Sequence, residues 1–191
     1  MSKKYLIVVT GGTIDAEPYQ ETPKNVTPLK ESIVPRILEE LGVAHLCDVL
    51  IWHMKDSKDF TDGELHELAK IIRDQAYTSV VITHGTDYMA HNARVMASKR
   101  YLFGEDVTAV FTGAMTPYMN QVVGYGQSDA PENVRFAIHE AYYGSPGVHI
   151  AMAGEVHDPF HTVKDMERKR FVHVDEVQEP HLQPAIPARR M

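Results

Sequence analysis

Lys4-Tyr-Leu-Ile-Val-Val-Thr10 runs straight into Gly11-Gly-Thr13. A short aliphatic, β-branched run stopped by two glycines suits a strand buried on both faces, as in a parallel sheet. The same kind of run recurs at Cys47-Asp-Val-Leu-Ile-Trp52, Ser79-Val-Val-Ile-Thr83, Val107-Thr-Ala-Val-Phe-Thr112 and Val148-His-Ile-Ala-Met-Ala153. Between these runs the apolar residues take a helical period. Ile33, Ile37, Leu38 and Leu41 precede a stop at Gly42, and Leu65, Leu68, Ala69, Ile72 and Ala76 follow Thr61-Asp-Gly-Glu64, which reads as a capping box. Met89, Ala93, Met96 and Ala97 make a third stripe, and Val134, Ala137, Ile138 and Ala141 a fourth. Strands alternating with helices in this way predict a single-domain α/β fold. Its sheet is doubly wound and mostly parallel, with helices on both faces, in the Rossmann or flavodoxin manner.

The pattern breaks at Glu155. From there to Val174 the chain is polar and rich in histidine, which reads as loop with a small hairpin. After Val177, Pro180, Pro184 and Pro187 mark an extended tail, so the boundaries expected are a globular unit over 1–177 and a Pro-rich tail over 178–191. Composition narrows the function classes. In 191 residues there are 26 acidic against 19 Lys and Arg, a net charge of −7, with 43% hydrophobic residues. That apolar fraction excludes general disorder, and the negative balance argues against nucleic acid or an anionic membrane as partner. No apolar run reaches the length of a membrane span, and the run after Met1-Ser-Lys-Lys4 is too short for a signal peptide. The single Cys47 excludes a disulfide framework within the chain. The location expected is cytoplasmic. His157 and His161 flank Asp158 four residues apart, but Pro159 between them opposes the helix such a metal pair needs, so they read as loop histidines.

Ligands of an open parallel sheet bind beyond the carboxyl ends of its strands. Here those ends carry Thr10-Gly-Gly-Thr13, Met54-Lys-Asp-Ser-Lys-Asp59, Thr83-His-Gly-Thr-Asp87 and Thr112-Gly-Ala-Met-Thr116. Any one of these loops is ordinary turn and cap chemistry. Four at one edge point to a hydroxyl-rich cleft in which a Ser or Thr acts as nucleophile. A neutral hydroxyl needs an adjacent base, which a lysine oriented by a carboxylate can supply. Nucleotide binding fits poorly: the first loop lacks a third spaced glycine, Pro18 and Pro23 oppose an immediate helix, and no Gly-Lys-Ser/Thr occurs.

Taken in order, Thr10-Gly-Gly-Thr-Ile14, Asp56-Ser-Lys-Asp59, His84-Gly-Thr-Asp-Tyr-Met89 and Thr112-Gly-Ala-Met-Thr-Pro117 resemble the motifs of the bacterial-type L-asparaginases. The resemblance covers roughly residues 4 to 171, and Val156 to Lys164 is similar to the segment that bears the family's catalytic lysine. It implies hydrolysis of L-asparagine to L-aspartate and ammonia through a threonyl acyl-enzyme. Under it, Thr13 is the nucleophile, Tyr19 the nearest candidate for the loop tyrosine that polarises it, and Thr86, Asp87 and Lys164 a second triad. Ser57 and Asp87 would hold the substrate α-carboxylate and α-amine, within a binding set of Asp56, Ser57, Lys58, Gly85, Thr86, Asp87 and Ala114. No metal or organic cofactor is implied. The expected partners are the small-molecule substrate, L-asparagine or L-glutamine, and further copies of the chain in a dimer or tetramer.

Long members of the family carry a second, smaller C-terminal domain, and the length here resembles a short branch that lacks it. Lys58 stands where a neutral polar residue is common, and it can offer the α-carboxylate a charge-assisted contact. Tyr19 is closer to Thr13 than its counterpart in longer members. Glu17 or a residue of the polar C-terminal segment is the candidate to replace a carboxylate that the second domain usually supplies. Asp87 has a structural alternative as the cap of the helix that starts near Met89. Two other functions stay open: a non-catalytic amino-acid-binding module, and an amidase or glutaminase that supplies ammonia to a partner.

Overall fold

The five aliphatic runs form five parallel strands in the computed structural model, which describes residues 4–21 and 26–176. They are β1 (Tyr5–Val9), β2 (Cys47–Ile51), β3 (Ser79–Thr83), β4 (Thr108–Thr112) and β5 (Gly147–Met152). The sheet order is β2-β1-β3-β4-β5, with β6 (Glu155–His157) added antiparallel at the edge. Every residue of β1, β3 and β4 is buried, which is why these strands show no polar alternation.

The alternation that does exist is between two apolar layers. Leu6, Val8, Val80 and Ile82 pack with α2 (Asp62–Asp74) and α3 (Met89–Ala97). Tyr5, Ile7, Val9, Val81 and Val110 face the other way, toward α1 (Val34–Glu40), α4 (Tyr118–Val123) and α5 (Ala130–Tyr143). Each fully buried aliphatic side chain contributes about 1.5–3 kcal/mol, so the two layers lock the face that every strand presents. At the outer edge β2 is less covered, leaving Ile51 53% exposed. The capping box forms as read: Glu64 N donates to Thr61 Oγ1 at 3.3 Å, and Thr61 N donates to Glu64 Oε2 at 2.8 Å. The order reverses at β1 and β3, whose neighbours lie on opposite sides, and the loops leaving these strands open a crevice there.

Three features differ from the sequence reading. Glu155–His157, read as loop, is a sheet strand joined to β5 by the two-residue turn Ala153-Gly154, both at positive φ. A three-residue strand has no readable period, and Ala is an unusual choice for a left-handed position. The expected hairpin lies further on, as β7 (Thr162–Asp165) paired with β8 (Arg170–His173), and Phe171 and Val172 anchor it in the apolar interior. Helix α4, six residues long, is too short to show a stripe. At α3, Tyr88 and not Asp87 occupies the cap position, and its side chain makes no cap bond. The tail expected over 178–191 lies outside the described residues. Among the described residues no helix is long and apolar enough to cross a membrane.

Candidate active site

Glycines let the strand-end loops meet main chain to main chain. Gly12 has φ of 94°, and a Cβ there would lie 2.4 Å from Gly85 N. A Cβ on Gly85 would in turn lie 2.8 Å from Ser57 Oγ. The loops after β1, β3 and β2 therefore touch, and a methyl group at either glycine would push them apart. Beside this contact lies an open cleft of about 440 Å³. Thr13, Asp56, Ser57, Gly85, Thr86 and Asp87 line it, as the sequence reading expected. Val26, Pro28 and Lys55 also line it and were not anticipated.

One wall is built from buried groups. Lys164, on β7, is 7% exposed; its Nζ donates to Thr86 Oγ1 at 2.7 Å and to Asp87 Oδ1 at 2.5 Å. Thr86 is 4% exposed, whereas the Asp87 side chain is 56% exposed and reaches toward solvent in the cleft. The three residues expected to act together are thus in direct contact, although 78 positions separate Thr86 from Lys164.

The opposite wall is the loop after β1. Thr13 opens a 3-10 turn, Thr13–Asp15, and is half-buried. Tyr19 is half-buried beside Thr13; burial raises its phenol pKa above the usual tyrosine value, and the neighbouring Thr13 side chain works against the rise. Asn120 on α4 holds the main chain of Tyr19 on both sides, accepting from Tyr19 N at 3.0 Å and donating to Tyr19 O at 2.7 Å. At the base of the loop, Asp15 Oδ1 accepts from Ser32 Oγ at 2.9 Å and from Ile33 N at 2.7 Å. Burial pushes the Asp15 carboxyl above the ordinary carboxylate range, against those two hydrogen bonds.

Under the cleft runs a buried polar chain. Asn92 Nδ2 donates to Ser57 O at 2.9 Å and contacts His84 Nε2 at 2.8 Å. Since Nδ2 can only donate, His84 Nε2 accepts, and the ring proton sits on Nδ1. That nitrogen donates to Thr10 Oγ1 at 2.5 Å, and Thr10 passes its own proton to Thr83 O at 2.7 Å. Full burial lowers the His84 pKa to about 3, so the ring is neutral at physiological pH. The chain fixes Ser57 relative to the ends of β1 and β3.

Charges around the cleft are locally paired. Lys55 contacts Glu64 at 2.5 Å, and that hydrogen bond leads the causes that lower the Glu64 pKa to about 2. Lys58 lies 3.1 Å from Asp56, its side chain half exposed beside the cleft rather than lining it. Ala114 is fully buried with Ile14 and Tyr118, under the site and not on its wall. Glu17 is exposed. Asn92 and Asn120 were missed by sequence reasoning. Each acts on a main-chain or ring atom distant in sequence, and no local motif marks that role. Lys55 had a signal in its position within the loop after β2.

The family described as Asparaginase, N-terminal, matches residues 4–188. An L-asparaginase of Thermococcus kodakarensis (strain ATCC BAA-918 / JCM 12380 / KOD1) is 32% identical over 80 residues, which is 42% of this chain and 22% of that protein. Among solved structures, the thermostable L-asparaginase from Thermococcus kodakarensis superposes with a TM-score of 0.70 at 22% identity, over 88% of this chain and 50% of that one. L-asparaginase I from Vibrio cholerae gives 0.70 at 21% identity, over 90% and 52%. A probable cytoplasmic L-asparaginase from Campylobacter jejuni gives 0.65 at 23% identity, over 85% and 50%. The chain spans about half the length of these solved structures. At such identities the superpositions speak for a shared fold. The sequence match, running through every loop that lines the cleft, carries the assignment: this chain belongs to the asparaginase family and corresponds to its N-terminal domain.

Proposed function

We propose that the chain is an L-asparagine amidohydrolase that works through a threonyl ester at Thr13. The observation that carries this reading is the contact of Lys164 Nζ with both Thr86 Oγ1 and Asp87 Oδ1, at a cleft that the Thr13 hydroxyl side chain also lines. In the reaction, Thr13 Oγ1 attacks the side-chain amide carbon and Tyr19 polarises the attacking oxygen. The hydroxyl proton goes to the amide nitrogen, the C–N bond breaks and ammonia leaves. Thr86 and Lys164 then activate a water, which cleaves the ester, returns a proton to Thr13 and releases the side-chain carboxylate. Asp87 receives the substrate α-amine, Ser57 and Lys58 the α-carboxylate, and main-chain donors near Gly85 the oxyanion. Residues 1–177 form the catalytic unit under this reading, and the chain assembles as a homo-oligomer in the cytoplasm.

Support for the reading comes from the family membership and from the local charge pattern. In a chain with net charge −7, Lys55, Lys58 and Lys164 gather at the cleft, each balancing one carboxylate there, so the local charge is less negative than the chain as a whole. The test is ammonia release from L-asparagine, L-glutamine and small aliphatic amides by purified protein. Release from L-asparagine is the expected result. Aspartate binding seen by calorimetry with no hydrolysis of any amide would replace the enzyme with an amino-acid-binding module. Sedimentation as a monomer at micromolar concentration would remove the oligomer.

A further inference from the structure

The strand that delivers Lys164 is not part of the main sheet. Among the described residues β7 pairs only with β8, in a two-stranded sheet of its own. The position of the lysine therefore depends on what joins this hairpin to the helix that follows Thr86 and Asp87. Arg94 on α3 makes such a join: its Nε donates to Pro159 O at 3.0 Å and its Nη2 donates to Thr162 O at 3.2 Å. Both acceptors belong to buried residues, and Thr162 is the first residue of β7, two before Lys164.

The segment gripped in this way is itself tied together. Asp158 Oδ1 accepts from Phe160 N at 2.8 Å, and Asp158 O accepts from Thr162 Oγ1 at 2.6 Å. Moving either carbonyl moves the whole turn and the start of β7 with it. Arg94 lies seven residues beyond Asp87, about two helical turns. The turn after β3 and the helix it leads into thus hold the hairpin at two points, through the Lys164 side chain at Asp87 and through main chain at Arg94. The planar guanidinium offers several donors in fixed directions, which suits two carbonyls at once; an ammonium on a flexible stem does not.

We propose that Arg94 is a positioning residue for Lys164, setting the register between α3 and β7 so that Nζ meets Thr86 and Asp87 together. This rests on the reading of Lys164 as part of the amide-hydrolysing site. An arginine on loop carbonyls can also serve stability alone, so the test needs readouts that separate the two roles.

The experiment compares wild type, Arg94→Met and Arg94→Lys. It measures kcat and KM for ammonia release from L-asparagine, melting temperature, and the acetylation rate of each lysine by acetic anhydride, read by peptide mass spectrometry. For Arg94→Met we expect kcat to fall on the order of 10- to 100-fold with KM changed less than about 2-fold, since a displaced proton-transfer group costs rate more than binding. Lys164 acetylation should rise about 10-fold while Lys55, held by Glu64, keeps its rate. Arg94→Lys should lie between the two proteins, and it serves alone if Arg94→Met does not fold. Unchanged kcat with unchanged Lys164 acetylation would overturn the proposal. So would a uniform rise in acetylation of all lysines together with a lowered melting temperature, which marks a purely structural role. If wild type releases no ammonia, the activity reading fails, and the acetylation contrast still decides whether Arg94 sets Lys164.

Discussion

Thr13 and Tyr19 stand on a loop that leaves the sheet after β1 and returns at α1, whereas Thr86, Asp87 and Lys164 are held between a buried strand end, a helix and an anchored hairpin. The first wall is rooted in the apolar interior by Ile14, and its outer part around Tyr19 is kept by a few polar contacts. Glu17 N donates to Thr27 O at 2.8 Å, Leu29 N donates to Asp15 O at 2.7 Å, and Asn120 clasps Tyr19. The second wall rests on the apolar interior, with Phe171 on β8 and Met89 on α3 in one cluster. Burial by many dispersion contacts fixes geometry more firmly than isolated hydrogen bonds near solvent, which open at lower cost. Under the proposed function this difference predicts a division of labour: the wall of Thr86, Asp87 and Lys164 is preorganised, and the outer part of the other wall, around Tyr19, adjusts around a substrate.

The strongest attack on this comparison removes the proposed nucleophile. Thr13→Ala should lower kcat on the order of 10⁵-fold while aspartate still binds, because no other hydroxyl forms the ester. A single-turnover assay that still traps an acyl-enzyme would shift the role elsewhere. Next, Lys164→Met should lower kcat on the order of 10³-fold. Its effect on melting temperature should be small, since the Asp87 carboxylate left behind is more than half exposed and can be hydrated. A large loss of stability would mean that this contact is structural first.

The walls separate most clearly in the loop variants. Tyr19→Phe should cost about 100-fold in kcat, within the range for loss of one polarising group. Asn120→Ala keeps the phenol but frees the main chain of Tyr19, and should cost about 10-fold, with KM rising as well, because the loop must then be ordered by the substrate. If Asn120→Ala equals Arg94→Met in both kcat and KM, the two walls respond alike and the division disappears.

The smallest effect concerns stability rather than turnover. His84 has a folded pKa near 3 against an ordinary value of 6.5, so below about pH 6.5 the unfolded chain binds a proton that the folded one refuses. Its contribution is fully present above pH 6.5 and is lost as pH falls toward 3, by about 1.4 kcal/mol per pH unit. Denaturant titrations between pH 7 and 4 should show this slope, and His84→Gln should flatten it. Glu64, with its carboxylate held at about 2 by Lys55 and Thr61, adds a further loss at lower pH, from about 4.5 down to 2.

Much of this was legible in the residues. Tyr5–Val9, Ser79–Thr83 and Thr108–Thr112 are apolar on both faces, so each names itself as an interior strand. Thr61 and Glu64 announce the start of α2, since a cap needs only two groups three residues apart. Thr13, Thr86 and Asp87 follow strand ends in short glycine loops, where position along the chain nearly fixes position in space. Ser57 sits in a loop without glycine, and all four were singled out by the resemblance of their motifs to the family. The polar stretch after Glu155 concealed β6, and Ala153 at positive φ gave no warning of the turn before it.

What the sequence by itself determined is the order of strands and helices, the edge of the sheet at which the polar loops gather, and the residue types available there for chemistry. These follow from local periodicity and from the direction in which a strand ends. Only the tertiary structure decided that Asn120 clasps Tyr19 and that Arg94 ties β7 to α3; Thr86, Asp87 and Lys164 were grouped by resemblance, and the structure supplied their contact. Each of these contacts joins a side chain to groups 65 to 101 positions away. Such pairings leave no periodic trace, because they are selected by the packing of two apolar layers and not by the neighbours of either residue.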